Sequence, residues 1–500
     1  MTSGSRPEVV VVGGGISGLA AAYELTGGAE GPSEGTPQVT IIEASDGFGG
    51  KLGSTTIGSV ALDAGPDGVL ARRREVIDLC RELGIEHNLR PIAASGASVF
   101  ARGTLRPLPE DLQLGIPTSW KSLRRSGVLS PAGLARALVD VIAPRPASRG
   151  KLQDRTIGGL IETKLGTEVV ATLVDPMIGG ITAGRVSDMS AAAVFPPLLE
   201  AAQQRGGLMA TLRKQAATAI PGPKTEDSKA EPPADPGPAF VTLVGGMHTL
   251  PEYLTALLET RGVRFVTGVE VTALRRNGGQ RSGWSVDSET TTTRADGVVI
   301  ATPAPAAARL LQPLDAEAAS LLDQMTYSTV GVITFAFAEG TLSLPEHGTG
   351  VLVPPGTPLP SGDNAGSRFL TTALTFLDRK WPHLAQPGTT LLRCSVGRID
   401  DTRMSTMSDD DVMAATLEEL RLLIGDVPDP QEATVTRWVD SLPQYKVNHL
   451  LRVGGIESGV ERLGSLAICG AAYRGVGVPA CVASGREAAR RILKVVSGGR

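Results

Sequence analysis

The sequence is short of the residues that staple or metallate a small fold. Its four cysteines, Cys80, Cys394, Cys469 and Cys481, lie far apart, with no CxxC pair and no histidine at zinc spacing. That excludes a disulfide framework and a structural zinc site, and it points to reduced thiols in a cytoplasmic protein. A basic block is also missing: 48 Lys+Arg stand against 52 Asp+Glu, a net charge of −4, so no nucleic-acid partner is expected. Net charge says nothing of local pockets, and an acidic small substrate stays open. No apolar run reaches the ~18 residues that cross a bilayer. The run from Val9 to Ala22 is interrupted by Gly13, Gly14, Gly15 and Gly18 and has no cleavage site after it, so it does not read as a signal peptide. Membrane contact is expected to be peripheral and weak, or absent. Disorder is excluded for the bulk of the chain by a 41% apolar fraction.

What is present alternates strands with helices. Glu8 to Val12 reads as a buried parallel strand, Gly13 to Gly15 as a turn, and Ile16 to Leu25 as a helix. A polar stretch from Gly27 to Pro37 reads as a surface insertion before a second strand, Val39 to Glu43. Helices are expected over Arg74–Leu83, Thr249–Glu259 and Asp411–Leu423, and strands over Phe240–Val244, Val263–Val271 and Gly297–Ala301. The tail returns to the opening pattern, with a strand over Ser465–Cys469, a glycine-rich turn over Gly470–Gly477 and a helix from about Cys481 to Val495. Segments 1–90, 240–310 and 455–500 therefore read as one discontinuous dinucleotide domain. Residues 91–220 read as a helical insertion bearing on the substrate or a membrane, 221–239 as a Pro-rich loop, and 311–454 as a substrate-binding sheet domain. The fold class is α/β.

Gly13-x-Gly15-x-x-Gly18 directly follows a strand and opens a helix. Gly13 permits the tight turn, Gly15 lets backbone approach a pyrophosphate, and Gly18 lets the helix pack on the strand. Glu43 ends the second strand, where a carboxylate can bind both hydroxyls of an adenosine ribose. Its distance from Gly18 exceeds the usual ~20 residues because of the polar insertion. A second glycine turn, Gly49-Gly50-Lys51, follows, and Gly470 to Gly477 places another at the far end of the chain. A flavin ring needs such a closing turn and a nicotinamide domain does not, which favours FAD over NAD. Nothing in the sequence signals a covalent flavin link.

Read together, these stretches resemble the protoporphyrinogen/coproporphyrinogen oxidase family of the amine-oxidase-like superfamily. The likeness spans nearly the whole chain: VVVVGGGISGLAAAYEL (9–25), IIEASDGFGGK (41–51), LDAGPDGVL (62–70), LVDPMIGGITAG (173–184), LVGGMHTL (243–250), VVIATPAPA (298–306), SLPQYKVNHL (441–450) and LAICGAAYRGVGVPACVASGREAA (466–489). Gly65-Pro66-Asp67, Pro443-Gln444-Tyr445…His449 and Gly475 to Cys481 are the specific elements. The chain departs from the family at Gly47, where an Arg is usual, and at Ala480, where an Asp is usual. The resemblance implies FAD contacts at Gly13, Gly14, Gly15, Ile16, Ser17, Gly18, Glu43, Ala44, Lys51, Gly65, Pro66, Asp67, Gly68, Val271, Trp438, Val476, Gly477 and Val478. It implies a porphyrinogen cavity near Met177, Gly179 and Gly180, roofed by Gly348-Thr349-Gly350 where the family often carries a Phe.

The resemblance also implies the chemistry. Each methylene bridge of a porphyrinogen can lose a hydride to flavin while a pyrrole N–H loses its proton, and the cofactor does the hard step. O2 then reoxidises the flavin with release of peroxide. The likeness to the soluble Gram-positive form implies coproporphyrinogen III as substrate, with coproporphyrin passed to a downstream ferrochelatase in heme biosynthesis. No Ser/His/Asp set, metal cluster or carboxylate pair is evident, so no protein group is assigned as catalytic. His449 is the best titratable residue near the flavin, as packing group or as acid/base. Tyr445 and Tyr473 read either as an aromatic pair on the flavin or as core. Arg73, in the run Arg72-Arg73-Arg74, reads either as a clamp for a substrate carboxylate or as a solvated helix edge. The alternatives are protoporphyrinogen IX oxidation, another flavin amine oxidase or desaturase of the superfamily, and a flavin-free escort protein of the same fold. The oligomeric state is not readable.

Overall fold

Four consecutive valines after Glu8 suit a strand covered on both faces, and Glu8–Val12 lies at the centre of a parallel sheet. A computed structural model describes residues 6–94, 96–143, 153–204, 206–218, 238–278, 283–360 and 366–498. The expected Pro-rich loop falls almost wholly outside the described residues. The five strands run in the order Arg264–Val266, Gln38–Ile42, Glu8–Val12, Gly297–Ile300, Leu466–Ile468, all parallel. Pieces from the start, middle and end of the chain thus share one sheet. Their C-terminal ends form an edge at Gly13, Glu43, Ala301 and Cys469. Open parallel sheets bind their ligands at that edge.

The segment Val263–Val271, expected as one strand, is two. The strand Arg264–Val266 stops at Gly268, whose φ of +67° suits glycine and not a β-branched residue. The amide of Gly268 bonds the Ser45 carbonyl and that of Val269 bonds the Glu43 carbonyl, so the chain bends across the end of its neighbour. Val271–Asn277 then opens a separate antiparallel sheet. The bend carries Val269 to Val271 along the edge where ligands bind.

A second sheet has seven strands in the order Glu432–Pro443, Tyr327–Ala338, Thr389–Val396, Thr371–Phe376, Gly350–Leu352, Ser98–Ala101, Thr104–Pro107. The last two come from the 91–220 segment, which is therefore not wholly helical. The period of two explains why: Val99 and Ala101 face a helical core, while Phe100 faces the core of the sheet. Helices Pro131–Ile142, Ile157–Leu165, Asp175–Thr182 and Pro196–Gln203 build that helical core. The hydroxyls of Ser130 and Thr156 cap the first two of these four.

The helix Ile16–Leu25 opens from the glycine turn and crosses the C-terminal helix Val478–Gly498. The crossing is backbone on backbone: a Cβ on Gly485 would stand 2.1 Å from the Ser17 carbonyl oxygen. Gly485→Ala must push the helices apart, and overpacking of this kind costs about 1–3 kcal/mol. The expected readout is a lower urea midpoint at an unchanged m-value.

Candidate cofactor and substrate site

The parallel sheet, the seven-stranded sheet and the helix Asp175–Thr182 meet around one cavity of about 540 Å³. The glycine turn forms its floor. Gly13 has φ +106°, and the Cβ position of Gly15 faces open space, which leaves bare backbone beside the first turn of the helix. The Gly13 amide is tied to the Ile42 carbonyl at 2.8 Å, and the Gly14 amide donates to Glu43 Oε2 at 2.6 Å. Glu43 Oε1 accepts from the amide and hydroxyl of Ser45. Both carboxylate oxygens are thereby aimed, with lone pairs left for hydroxyls of a ribose.

Of the residues expected to contact FAD, the cavity wall brings together Gly13, Gly15, Ile16, Ser17, Glu43, Ala44, Lys51, Gly65, Pro66, Val271, Trp438, Val476 and Val478. Gly14 and Gly18 stand behind this wall. Gly14 holds Glu43, and a Cβ on Gly18 would lie 1.9 Å from the Gly13 carbonyl oxygen. Gly477 accepts the Cys481 amide at the start of the C-terminal helix. Gly179 and Gly180 line the cavity on its other side, together with Ile181.

Five expected contacts need correction, because the structure places them outside the cavity wall. Asp67 does not reach the cavity: both its carboxylate oxygens are taken by Lys380 Nζ at 2.9 Å, and Oδ2 also accepts from Trp381 Nε1 at 3.2 Å. Gly68 lies behind the wall with it, packed against Trp381. Arg73 forks onto Glu75 with contacts of 2.6 to 3.2 Å on an exposed helix edge, the solvated alternative. Thr349 turns its hydroxyl to the Gly96 carbonyl at the sheet edge and is not part of the wall. Met177, one turn N-terminal to Ile181, is half-buried and also outside it.

Tyr445, Tyr473 and His449 are buried and do not line the cavity. Burial pushes the His449 imidazole down to about 4, against the opposing hydrogen bond to the Tyr473 carbonyl, so the ring is neutral. Because it does not line the cavity, it is not placed for acid/base work there.

Sequence reasoning missed the walls supplied by the seven-stranded sheet: Tyr327, Val330 to Val332, Ser395 to Gly397, Ser441 and Leu442. No local motif marks them, because their place depends on how the two sheets meet. Tyr327 accepts the Ala304 amide at 2.9 Å, and burial holds its phenol at about 12, fully protonated. Thr302 and Ser441 line the wall with buried hydroxyls that have no protein partner. Lys51 is there too, with its ammonium disfavoured by burial. Apart from Lys51, no Arg or Lys among the described residues lines the cavity. Open glycine backbone, an aimed carboxylate, a free cation and two orphan hydroxyls form a donor set that fits a dinucleotide flavin.

Residues 16–493 match the flavin containing amine oxidoreductase family. The chain is 32% identical over 489 residues to coproporphyrinogen III oxidase of Bacillus subtilis (strain 168), covering 97% of this chain and 98% of that one. It is 29% identical to protoporphyrinogen oxidase of Bos taurus, over 97% of this chain and 98% of that one. A solved structure from Exiguobacterium sp. 255-15, named for protoporphyrinogen oxidase, superposes with a TM-score of 0.82 at 28% identity, covering 98% and 99% of the two chains. The chain belongs to the flavin containing amine oxidoreductases and, within them, to the protoporphyrinogen/coproporphyrinogen oxidase family. Its cofactor is FAD.

Asp67 supports the cofactor wall from behind. Arg393 stands 3.9 Å from its carboxylate and donates from Nη2 to the Gly65 carbonyl at 2.5 Å, so the ion cluster pins the turn that carries Gly65 and Pro66. Burial alone would raise the Asp67 pKa, but Lys380 and Arg393 outweigh it and hold it at about 2. A depressed carboxyl adds stability that is complete above its unfolded pKa near ~4 and is lost as pH falls through about 2. Asp67→Asn leaves two cations unpaired and is expected to cost about 3 kcal/mol, the lower end for breaking a buried pair. In urea melts the gap between parent and variant should be full at pH 7 and shrink below pH ~4.

Proposed function

We propose that the protein is an oxygen-utilising coproporphyrinogen III oxidase that forms coproporphyrin III and hydrogen peroxide in heme biosynthesis. Bound FAD supplies the two-electron acceptor, so three cycles, each closed by O2, remove the six electrons that separate porphyrinogen from porphyrin. The observation that carries this reading is the continuity of one cavity. It joins the glycine floor and Glu43 to an apolar face made of Gly180, Ile181, Val330, Val332, Val396 and Leu442.

Flat apolar rings suit that face, and at Gly180 the missing side chain leaves room beside it, a Cβ there meeting nothing nearer than Leu352 at 4.0 Å. The wall's work is to hold the ring within a near-attack distance of roughly 3–3.5 Å and to keep water away. No protein base is needed, since pyrrole protons can leave through the mouth. Carboxylates on the substrate then lie at the mouth, because Lys51 is the sole lining cation among the described residues. The same scarcity of cations favours a second reading, protoporphyrinogen IX oxidation, since nothing inside the wall counts carboxylates. No helix among the described residues is long and apolar enough to cross a membrane. In this reading the enzyme works in the cytoplasm, with at most weak peripheral contact with a membrane, and passes its product to a downstream ferrochelatase.

The test is an aerobic assay of FAD-loaded protein with freshly reduced coproporphyrinogen III and protoporphyrinogen IX in parallel. Porphyrin fluorescence and peroxide are followed together, with autoxidation subtracted. Faster turnover of the coproporphyrinogen with close to three peroxides per porphyrin is expected. A preference for protoporphyrinogen would move the protein to the second reading, and no turnover by a yellow protein would remove both.

A further inference from the structure

The loop from Gly470 to Gly477 is part of the cavity wall through Gly470, Ala471, Ala472 and Val476. Gly470 and Gly475 have φ of +132° and +150°, where glycine alone is comfortable, and the loop lies between the strand Leu466–Ile468 and the C-terminal helix. Something must select one conformation from the many such a segment can adopt.

Ser484 Oγ accepts the Gly470 amide and Glu457 pairs with Arg474, and two side chains from a single turn hold the stretch between Ala471 and Gly475. The Tyr445 hydroxyl donates to the Ala471 carbonyl at 2.6 Å and accepts the Gly475 amide at 2.8 Å, bridging the loop across its width. The Tyr445 ring stacks on the His449 imidazole, with centroids 3.8 Å apart and planes 14° from parallel. His449 Nε2 lies 2.7 Å from the Tyr473 carbonyl oxygen. A carbonyl only accepts, so Nε2 carries the proton. Nδ1 is buried without a partner, which leaves the imidazole a single polar attachment, and that attachment is to the loop. Three backbone groups of one loop are thus held by one tyrosine and one histidine, neither of which touches the cavity.

We infer that Tyr445 and His449 are positioning residues for the cofactor, fixing the Gly470–Gly477 loop in the conformation that walls the FAD cavity. The pair acts through the loop backbone. It rests on FAD occupancy and not on the identity of the porphyrinogen.

The experiment is FAD titration of the apoprotein, read by flavin fluorescence and by the visible flavin spectrum. Tyr445→Phe keeps the stacked ring and removes only the hydroxyl. It is expected to raise the FAD Kd at least tenfold and to blur the vibrational structure of the bound-flavin band. His449→Gln, which retains an N–H donor, should keep more affinity than His449→Phe, which retains a flat ring and has no donor. Parental affinity and spectrum in Tyr445→Phe would overturn the inference. So would equal affinities for the two His449 variants, or a fall in apoprotein melting temperature with unchanged FAD binding, which is the mark of packing alone. A measurement on the parent stands apart from any variant: the Gly475 amide should resist hydrogen exchange in the apoprotein as strongly as the neighbouring core, and free exchange there would contradict the clamp.

Discussion

The two ends of the chain must lie in contact for this site to exist. The helix that opens from the first glycine turn and the helix that ends the chain cross where Gly485 meets the Ser17 carbonyl, closer than any side chain permits. Arg486, the next residue, reaches Glu24 at 2.8 Å and Glu82 at 3.0 Å with a side chain only 17% exposed. An ion cluster this sheltered fixes the direction of the C-terminal helix, since losing one partner would leave charge stranded. The closing loop precedes that helix and is carried over the glycine turn by it. Nucleotide floor and opposing wall are therefore one mechanical unit.

The seven-stranded sheet joins this unit through Trp438. Its indole N–H donates to the Ala64 carbonyl at 2.8 Å, and Gly53 and Gly65 leave space for its ring. The Asp67 cluster holds the neighbouring turn from the same side. The polar groups of the cavity are those of the floor, the hydroxyls of Thr302, Ser441 and Tyr327, and Glu270, Thr372 and Ser395. The remaining wall is mostly glycine, alanine and branched aliphatic side chains, with Trp438 among them. This division suits a reaction whose electrons are taken by the cofactor and whose substrate has only to be oriented and kept dry.

Much of the cofactor half was legible in the sequence, because its elements are local and each announces itself. Ile16–Leu25 was readable from its glycine punctuation, the valine run from its branching, and Glu43 from its place after a strand. The split at Gly268 was not, since the bend answers to a carbonyl of another strand. Asp67 was read as touching the cofactor when its partners, Lys380 and Arg393, lie more than three hundred residues away along the chain. The substrate half was poorly legible for the same reason. Its wall comes from alternate positions of strands whose register is set by long-range pairing, and alternation alone does not say which face meets the cavity. Arg73 illustrates the converse error: a triple arginine suggests a binding patch, yet Glu75 and Asp78 satisfy two of its members locally.

In the proposed function, electrons pass from a porphyrinogen held on the apolar face to FAD held on the glycine floor of the same cavity. This transfer is tested most directly by mixing FAD-loaded protein with coproporphyrinogen III in the strict absence of oxygen and following the oxidised-flavin absorbance. The absorbance is expected to bleach on mixing and to return when oxygen is admitted, with porphyrin fluorescence rising in step. An oxidised-flavin band that persists in the presence of excess porphyrinogen would contradict it.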